Sequence, residues 1–99
     1  MIRGTTPTLT FTLPFDCSTL TKANIAFAQN GHVVLEKDLT ECTVDGNTLT
    51  LTLSENDTLQ LNSNHKVVEI QIRAAVGETR LASNIVQTTV NRILKDGCL

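Results

Sequence analysis

The sequence is poor in aromatic side chains and has no concentration of positive charge. It contains no Trp or Tyr and only three Phe, and its formal net charge is −2. Proteins that bind single-stranded nucleic acids use aromatic rings as stacking platforms, and all nucleic-acid binding requires a concentrated field of Lys and Arg. The 8 basic residues form no such cluster. We therefore expect no nucleic-acid partner, and the shortage of rings also argues against a carbohydrate site.

Long apolar runs are also missing. No stretch approaches the roughly 18 apolar residues that a membrane span needs, so we expect no membrane association. The opening MIRGTTPTLT contains no apolar segment of the roughly 7–15 residues that define the centre of a signal peptide. We therefore predict a chain made in a bacterial cytoplasm and not secreted by a signal peptide.

Residues that carry chemistry are few and scattered. Cys17, Cys42 and Cys98 are odd in number and form no C-x-x-C pair, which predicts a reduced chain without disulfides. His32 and His65 lie in polar turns with no ligand-spaced partner, whereas a structural zinc site needs four ligands. Nucleophilic catalysis needs a nucleophile, a base and an orienting group, and no local signature supports that set. We predict no metal, no cofactor, no catalytic residue and no enzymatic activity.

Threonine is abundant, with sixteen occurrences in 99 residues, and it favours β structure because its branched side chain is stiff at χ1. Apolar and polar residues alternate along much of the chain, which is the period-2 pattern of strands. Seven strands are predicted, over 8–13, 22–28, 32–37, 41–44, 48–53, 66–76 and within 81–91. The expected inward residues are Leu9, Phe11, Leu13, Ala23, Ile25, Phe27, Val33, Leu35, Leu49, Leu51, Leu53, Val68, Ile70, Ile72 and Ala74.

Turn signals separate these strands. Asn30-Gly31 predicts a tight hairpin, Asp45-Gly46 a second turn, and Ser54 the cap of one helical turn. The adjacent Ile85 and Val86 disturb the last strand and predict a bulge or a break after Ser83. The pattern predicts an all-β, antiparallel sandwich of immunoglobulin-like or fibronectin-like type over residues 1–91, with a small Greek-key barrel as the alternative and 92–99 as a tail.

Two threonine arrays stand out, TLTFTL at 8–13 and TLTLTL at 48–53. Strands 8–13 and 48–53 are expected to flank strand 22–28 in one sheet and to share an outer face. That face is either solvated or a contact with another subunit, because a threonine can bury its methyl group while its hydroxyl is hydrogen-bonded. A flat ice- or crystal-binding array is disfavoured, since each strand has only three threonines. The predicted face consists of Thr8, Thr10, Thr12, Thr48, Thr50 and Thr52.

The tail NRILKDGCL is more apolar than a solvated tail needs. Ile93, Leu94 and Leu99 are therefore a second candidate contact, either as a strand given to another chain or as a segment folded back on its own core. The alternative to a structural role is a monomeric module that binds a ligand through its loops, at 29–32, 45–47, 62–66 and 76–80.

Three stretches carry a resemblance to a known group of proteins. LTLSENDTLQL precedes a strand containing IQIR, which is followed by GETRLASN. This order resembles small proteins encoded in phage and prophage structural-gene regions of Gram-positive bacteria, and it is similar to the N-terminal β-sandwich of phage baseplate upper proteins. The resemblance implies a virion component that contacts other virion subunits or itself, with no catalytic residues. Its carriers are Thr52, Leu53, Ser54, Asp57, Thr58, Leu59, Leu61, Ile70, Gln71, Ile72, Arg73, Gly77, Leu81, Ala82, Ser83 and Asn84.

Overall fold

The structure, a computed structural model, describes residues 1–64, 66–95 and 97. Its elements follow the alternation of the sequence, with one short helix and two 3₁₀ turns, Cys17–Thr19 and Leu39–Glu41, between strands. The helix is α1 (Glu55–Leu59). The strands are β1 (Thr8–Thr12), β2 (Lys22–Gln29), β3 (His32–Asp38), β4 (Cys42–Asp45), β5 (Thr48–Thr52), β6 (Val67–Val76), β7 (Thr79–Ala82) and β8 (Val86–Thr89).

These strands form two antiparallel sheets. One has three strands in the order β1-β5-β4, and the other has five, in the order β3-β2-β6-β7 with β8 paired to the other end of β6. The apolar faces of both sheets meet in one core. The predicted all-β antiparallel sandwich is confirmed, and among the described strands no pair joins the two sheets into a closed barrel. The large, fully buried side chains of the core include Phe27, Ile25, Leu49, Leu51, Leu53, Leu61, Ile72 and Val68.

The expected place of the threonine strands beside strand 22–28 is wrong. β1 pairs directly with β5, and β2 lies in the other sheet between β3 and β6. The reason lies in the link between β1 and β2. Pro14 ends the first strand, and a 3₁₀ turn capped by Asp16 then carries the chain across to the second sheet.

Two further differences have local causes. Val33 was expected inward but is 56% exposed, because the β2–β3 register shifts between Phe27 and Ala28 and Val34 becomes the extra residue of a bulge. The last predicted strand is two strands, β7 and β8. The break falls at Ser83, as predicted, because its Oγ accepts a hydrogen bond from the Ile72 N–H at 2.9 Å.

The connection from β5 to β6 crosses between the sheets and is firmly attached to both. Ser54 and Asp57 form the predicted capping box of α1. The Arg3 guanidinium donates to the carbonyls of Leu59 and Leu61, at 2.9 and 2.7 Å, at the C-terminal end of the helix. These contacts fix the corner that faces the edge strand β3.

Candidate interaction surface

The six predicted threonines lie on one face of one sheet, in direct cross-strand pairs. The β1–β5 register places Thr8 opposite Thr52, Thr10 opposite Thr50 and Thr12 opposite Thr48. At the two ends of this pairing, the Leu53 N–H donates to the Pro7 carbonyl at 2.9 Å and the Leu13 N–H donates to the Asn47 carbonyl at 2.8 Å. Since hydrogen-bonded and non-hydrogen-bonded pairs alternate in antiparallel sheets, the odd-numbered β1 residues bond to β5.

The threonine pairs are therefore the closely spaced, non-hydrogen-bonded kind, in which facing side chains lie nearest to each other. The hydroxyls of Thr8 and Thr52 use this proximity, with their Oγ1 atoms hydrogen-bonded at 3.0 Å. Leu49 and Leu51 point the other way and are fully buried.

A seventh threonine, which the sequence reasoning missed, extends this surface. β4 pairs with the far side of β5 and places Thr43 beside Thr50 and Asp45 beside Thr48. The alternation in CTVD indicates which side of β4 Thr43 occupies. That β4 lies next to β5, however, is decided by long-range strand pairing. We call the set Thr8, Thr10, Thr12, Thr43, Thr48, Thr50 and Thr52 the threonine face.

The outer face of the five-stranded sheet has a different chemistry. Strands β2, β3, β6 and β7 each place at least one charged side chain there, as on an ordinary solvated sheet. Asn24 Nδ2, for example, donates to the Glu36 carboxylate at 3.1 Å. Among the residues paired within the three-stranded sheet, the threonine face carries one charged residue, Asp45, at its rim. The charged residues of the opposite face are Lys22, Glu36, Asp38, Glu69, Arg73 and Arg80.

A groove of about 550 Å³ opens beside the threonine face, between β1 and the segment 82–88 of the other sheet. We call it the β1–β8 groove. Its apolar lining includes Phe11, Ile70, Ile72 and Val86. Val86 faces inward opposite Ile70 and yet is 53% exposed, because none of the described strands covers this side of the sandwich.

The candidate tail residues lie in different surroundings. Ile93 is half-buried, and its Cδ1 lies 2.9 Å from where a Cβ would stand on Gly4. Leu94 is 96% exposed. Leu99 lies outside the described residues, as do Cys98 and His65. The described part of the tail thus folds back at Ile93 and projects at Leu94.

The surroundings of Cys17 and Cys42 do not favour their thiolate forms. Burial, followed by the charge of Asp16, raises the pKa of Cys17 above its ordinary value. Burial, followed by the charges of Glu41 and Asp38, raises the pKa of Cys42. A raised pKa reduces the thiolate fraction, and the thiolate is the reactive form. Among the described residues, no group of three His, Cys, Asp or Glu side chains is placed to hold a metal ion.

The predicted loops are tight. Asn30 and Gly31 have φ values of 53° and 78°, as a two-residue type I′ hairpin turn requires. The loop that follows α1 is fixed at Asn62, whose backbone exchanges two 2.7 Å hydrogen bonds with the Gln29 amide. The Asn30-Gly31 turn is therefore short, and the described start of the loop after α1 is held by hydrogen bonds.

Comparison with known proteins found no matching family model, no matching curated protein and no matching solved structure. Within the described part of the chain, no helix has the length and hydropathy needed to cross a membrane.

Proposed function

We propose that this chain is a non-enzymatic structural or protein-interaction module of a phage or prophage particle, and that it contacts other protein subunits through the threonine face. The observation that carries the proposal is the contrast between the two outer faces. One is charged and the other is almost wholly uncharged and β-branched. A sheet that only faces water has no need to exclude charge from one side.

Threonine suits a moderately polar protein contact. Its β-branched side chain is already stiff, so it loses little conformational freedom when a partner covers it. Its methyl group can be buried while its hydroxyl finds a hydrogen-bond partner, as Thr8 and Thr52 already do within the chain. Interfaces between separately folded proteins combine apolar and polar area in this way.

The phage assignment is supported by the sequence resemblance alone. Its three motifs lie at structural junctions. LTLSENDTLQL covers the end of β5 and α1, IQIR lies in the central strand β6, and LASN covers the end of β7 and the break before β8. The alternative, ligand binding through loops, has less support because the hairpin turns at Asn30-Gly31 and Gly77 are short and leave little room for a site.

A binding measurement with matched variants tests the proposal. The partners to try are the purified products of the genes adjacent to this one. Thr50→Lys places a charge at the centre of the threonine face, and Gln87→Lys places the same charge on the outer face of the other sheet. We expect at least about tenfold weaker binding for Thr50→Lys and unchanged binding for Gln87→Lys, because an unpaired charge in a contact is costly. Equal affinities for the two variants, or no binding by the wild-type chain, would contradict the proposal.

A further inference from the structure

The outer edge of β1 is an open row of backbone hydrogen-bonding groups. The odd-numbered residues of β1 bond to β5, so the N–H and C=O groups of Thr8, Thr10 and Thr12 point away from the sheet. Among the described residues, no backbone group is hydrogen-bonded to these three on the side that faces away from β5. All three residues are exposed. Such an edge is a ready template for another strand.

The other edge strands of the sandwich carry charges or a bulge, or are partly covered. β3 has charged residues and a bulge, β4 has Asp45, and β7 has Arg80. The C-terminal end of the β8 edge is covered by the start of the chain, where the Met1 ammonium donates to the Thr89 carbonyl at 2.8 Å and the Arg3 N–H donates to the Asn91 carbonyl at 3.1 Å. Residues 4–15, by contrast, contain no Asp, Glu, Lys, Arg or His. The β1 edge therefore lacks the charge and the bulge that keep other edges from pairing.

The strand that already pairs with β1 shows what the free edge can accept. β5 reads TLTLT and β1 reads TLTFT, so β1 is paired along its whole length with a strand almost identical to itself. The pairing is antiparallel, with threonine opposite threonine and Leu or Phe opposite Leu. A second copy of β1 would offer the free edge the same alternation of threonine and large apolar residues.

We propose that two copies of this chain associate edge to edge through β1, antiparallel about a two-fold axis at Thr10. Thr10 would then lie opposite its own copy, Thr8 opposite Thr12 of the second copy, and Leu9 opposite Phe11 of the second copy. The result is a continuous six-stranded sheet whose two threonine faces merge. Three hydrogen-bonded pairs exchange two bonds each, giving about six backbone hydrogen bonds across the axis. A self-complementary patch of this kind is what a two-fold dimer requires.

The β1–β8 groove supplies apolar burial in the same place. A strand added beside β1 continues the three-stranded sheet over the groove, and its inward residues follow the same alternation as β1. Leu9 and Phe11 of the second copy would therefore face the groove lined by Ile70, Ile72 and Val86. Both copies gain this cover, because the axis relates them.

Light scattering during size-exclusion chromatography tests the dimer, with reducing agent present so that cysteines cannot link the copies. We expect a mass close to twice the 10.8 kDa of one chain. Thr10→Pro removes an N–H that only the second copy uses, and proline is tolerated at such an edge position, so this variant should be a folded monomer. Val44→Pro makes the same change on the outer edge of β4, where Val44 is a non-hydrogen-bonded residue of the β4–β5 pairing, and should stay dimeric.

Hydrogen exchange on the wild-type chain gives a readout that does not depend on a variant folding. The amides of Thr8, Thr10 and Thr12 should become protected at high protein concentration and lose that protection on dilution, while the Val44 amide exchanges at one rate throughout. A wild-type monomer at every concentration, or a Thr10→Pro dimer, would overturn the proposal. Because the dimer uses the backbone edge, Thr50→Lys should remain dimeric even if it loses binding to other subunits, so failure of the threonine-face proposal is distinguishable.

Discussion

The Nζ atom of Lys37 lies 2.9 Å from Oδ1 of Asp57, and this ion pair joins the edge strand β3 to α1. Both side chains are largely buried, with 16% and 12% of their surface exposed. Lys37 lies on the inner side of β3, opposite Ile25, so without Asp57 its charge would face the core with only the more exposed Glu41 as a partner. The Asp57 carboxylate also accepts the Ser54 N–H at 2.8 Å. One carboxylate therefore caps the helix and neutralises an inward-facing cation.

This ion pair predicts a specific loss of stability in acid. Burial alone raises the pKa of Asp57, but the hydrogen bonds from Ser54 and Lys37 outweigh it and leave the pKa below its ordinary value of 3.8. A group with a lowered folded pKa stabilises the protein fully above the unfolded pKa and loses that contribution as pH falls through the folded pKa. We expect the free energy of unfolding of the wild type to fall below pH 3.8. Measured by urea unfolding, the free energy of unfolding of Asp57→Asn should fall less steeply with decreasing pH than that of the wild type.

At neutral pH, Asp57→Asn should cost about 1–3 kcal/mol, because it removes a charged hydrogen bond from a largely buried cation. Glu41→Gln is the matched control. Glu41 is the other partner of Lys37, at 3.3 Å, but 45% of its side chain is exposed, so its loss should cost only about 0–1 kcal/mol. If the two variants lower the free energy of unfolding equally, the buried Lys37–Asp57 pair stabilises the fold no more than the exposed Lys37–Glu41 pair.

The Gln29 side chain predicts a second large effect. It is 3% exposed and exchanges two hydrogen bonds with the backbone of Asn62. Gln29→Leu would remove both of these hydrogen bonds to the backbone of Asn62, at a combined cost of about 1–3 kcal/mol in the free energy of unfolding. Gln60→Leu, at an exposed position in the same connection, should change that energy by less than about 0.5 kcal/mol.

Gly4 reports whether Ile93 packs against the start of the chain. Gly4 has φ of +73°, and an added Cβ would meet Ile93 Cδ1 at 2.9 Å. Gly4→Ala should therefore lower the free energy of unfolding by about 1–2 kcal/mol, because a left-handed backbone is strained for alanine. The contact with Ile93 should lower it further. Gly46→Ala, with φ of +58° and open space around it, should cost the strain alone.

Thermal melts of both glycine variants in wild-type and Ile93→Ala backgrounds separate the two contributions. The truncation should reduce the cost of Gly4→Ala and leave that of Gly46→Ala unchanged. If Ile93→Ala leaves the destabilisation by Gly4→Ala unchanged, Ile93 does not pack against Gly4.

Local pattern was enough to predict the first six strands, the Asn30-Gly31 turn, the Ser54 cap and an irregularity after Ser83. Each depends on residues close together in the chain. The threonine face was predicted in part because alternation alone decides which side of a strand a residue occupies.

Sheet membership was predicted incorrectly, and Thr43 was missed. Which strands pair is decided by contacts far apart in the sequence. The bulge at Val34 shifts the phase of β3 by one residue, which no local pattern there signalled. The β1–β8 groove likewise exists only because two uncharged segments from opposite ends of the chain face each other.

The composition of purified particles tests the proposed function most directly. Particles released from a bacterium that carries this gene, after prophage induction, can be purified and their proteins quantified by mass spectrometry. The proposed function predicts this chain in the particles at a fixed ratio to their structural proteins, and a lower ratio for Thr50→Lys than for Gln87→Lys. Particles that lack the chain while it accumulates in the cell would contradict it.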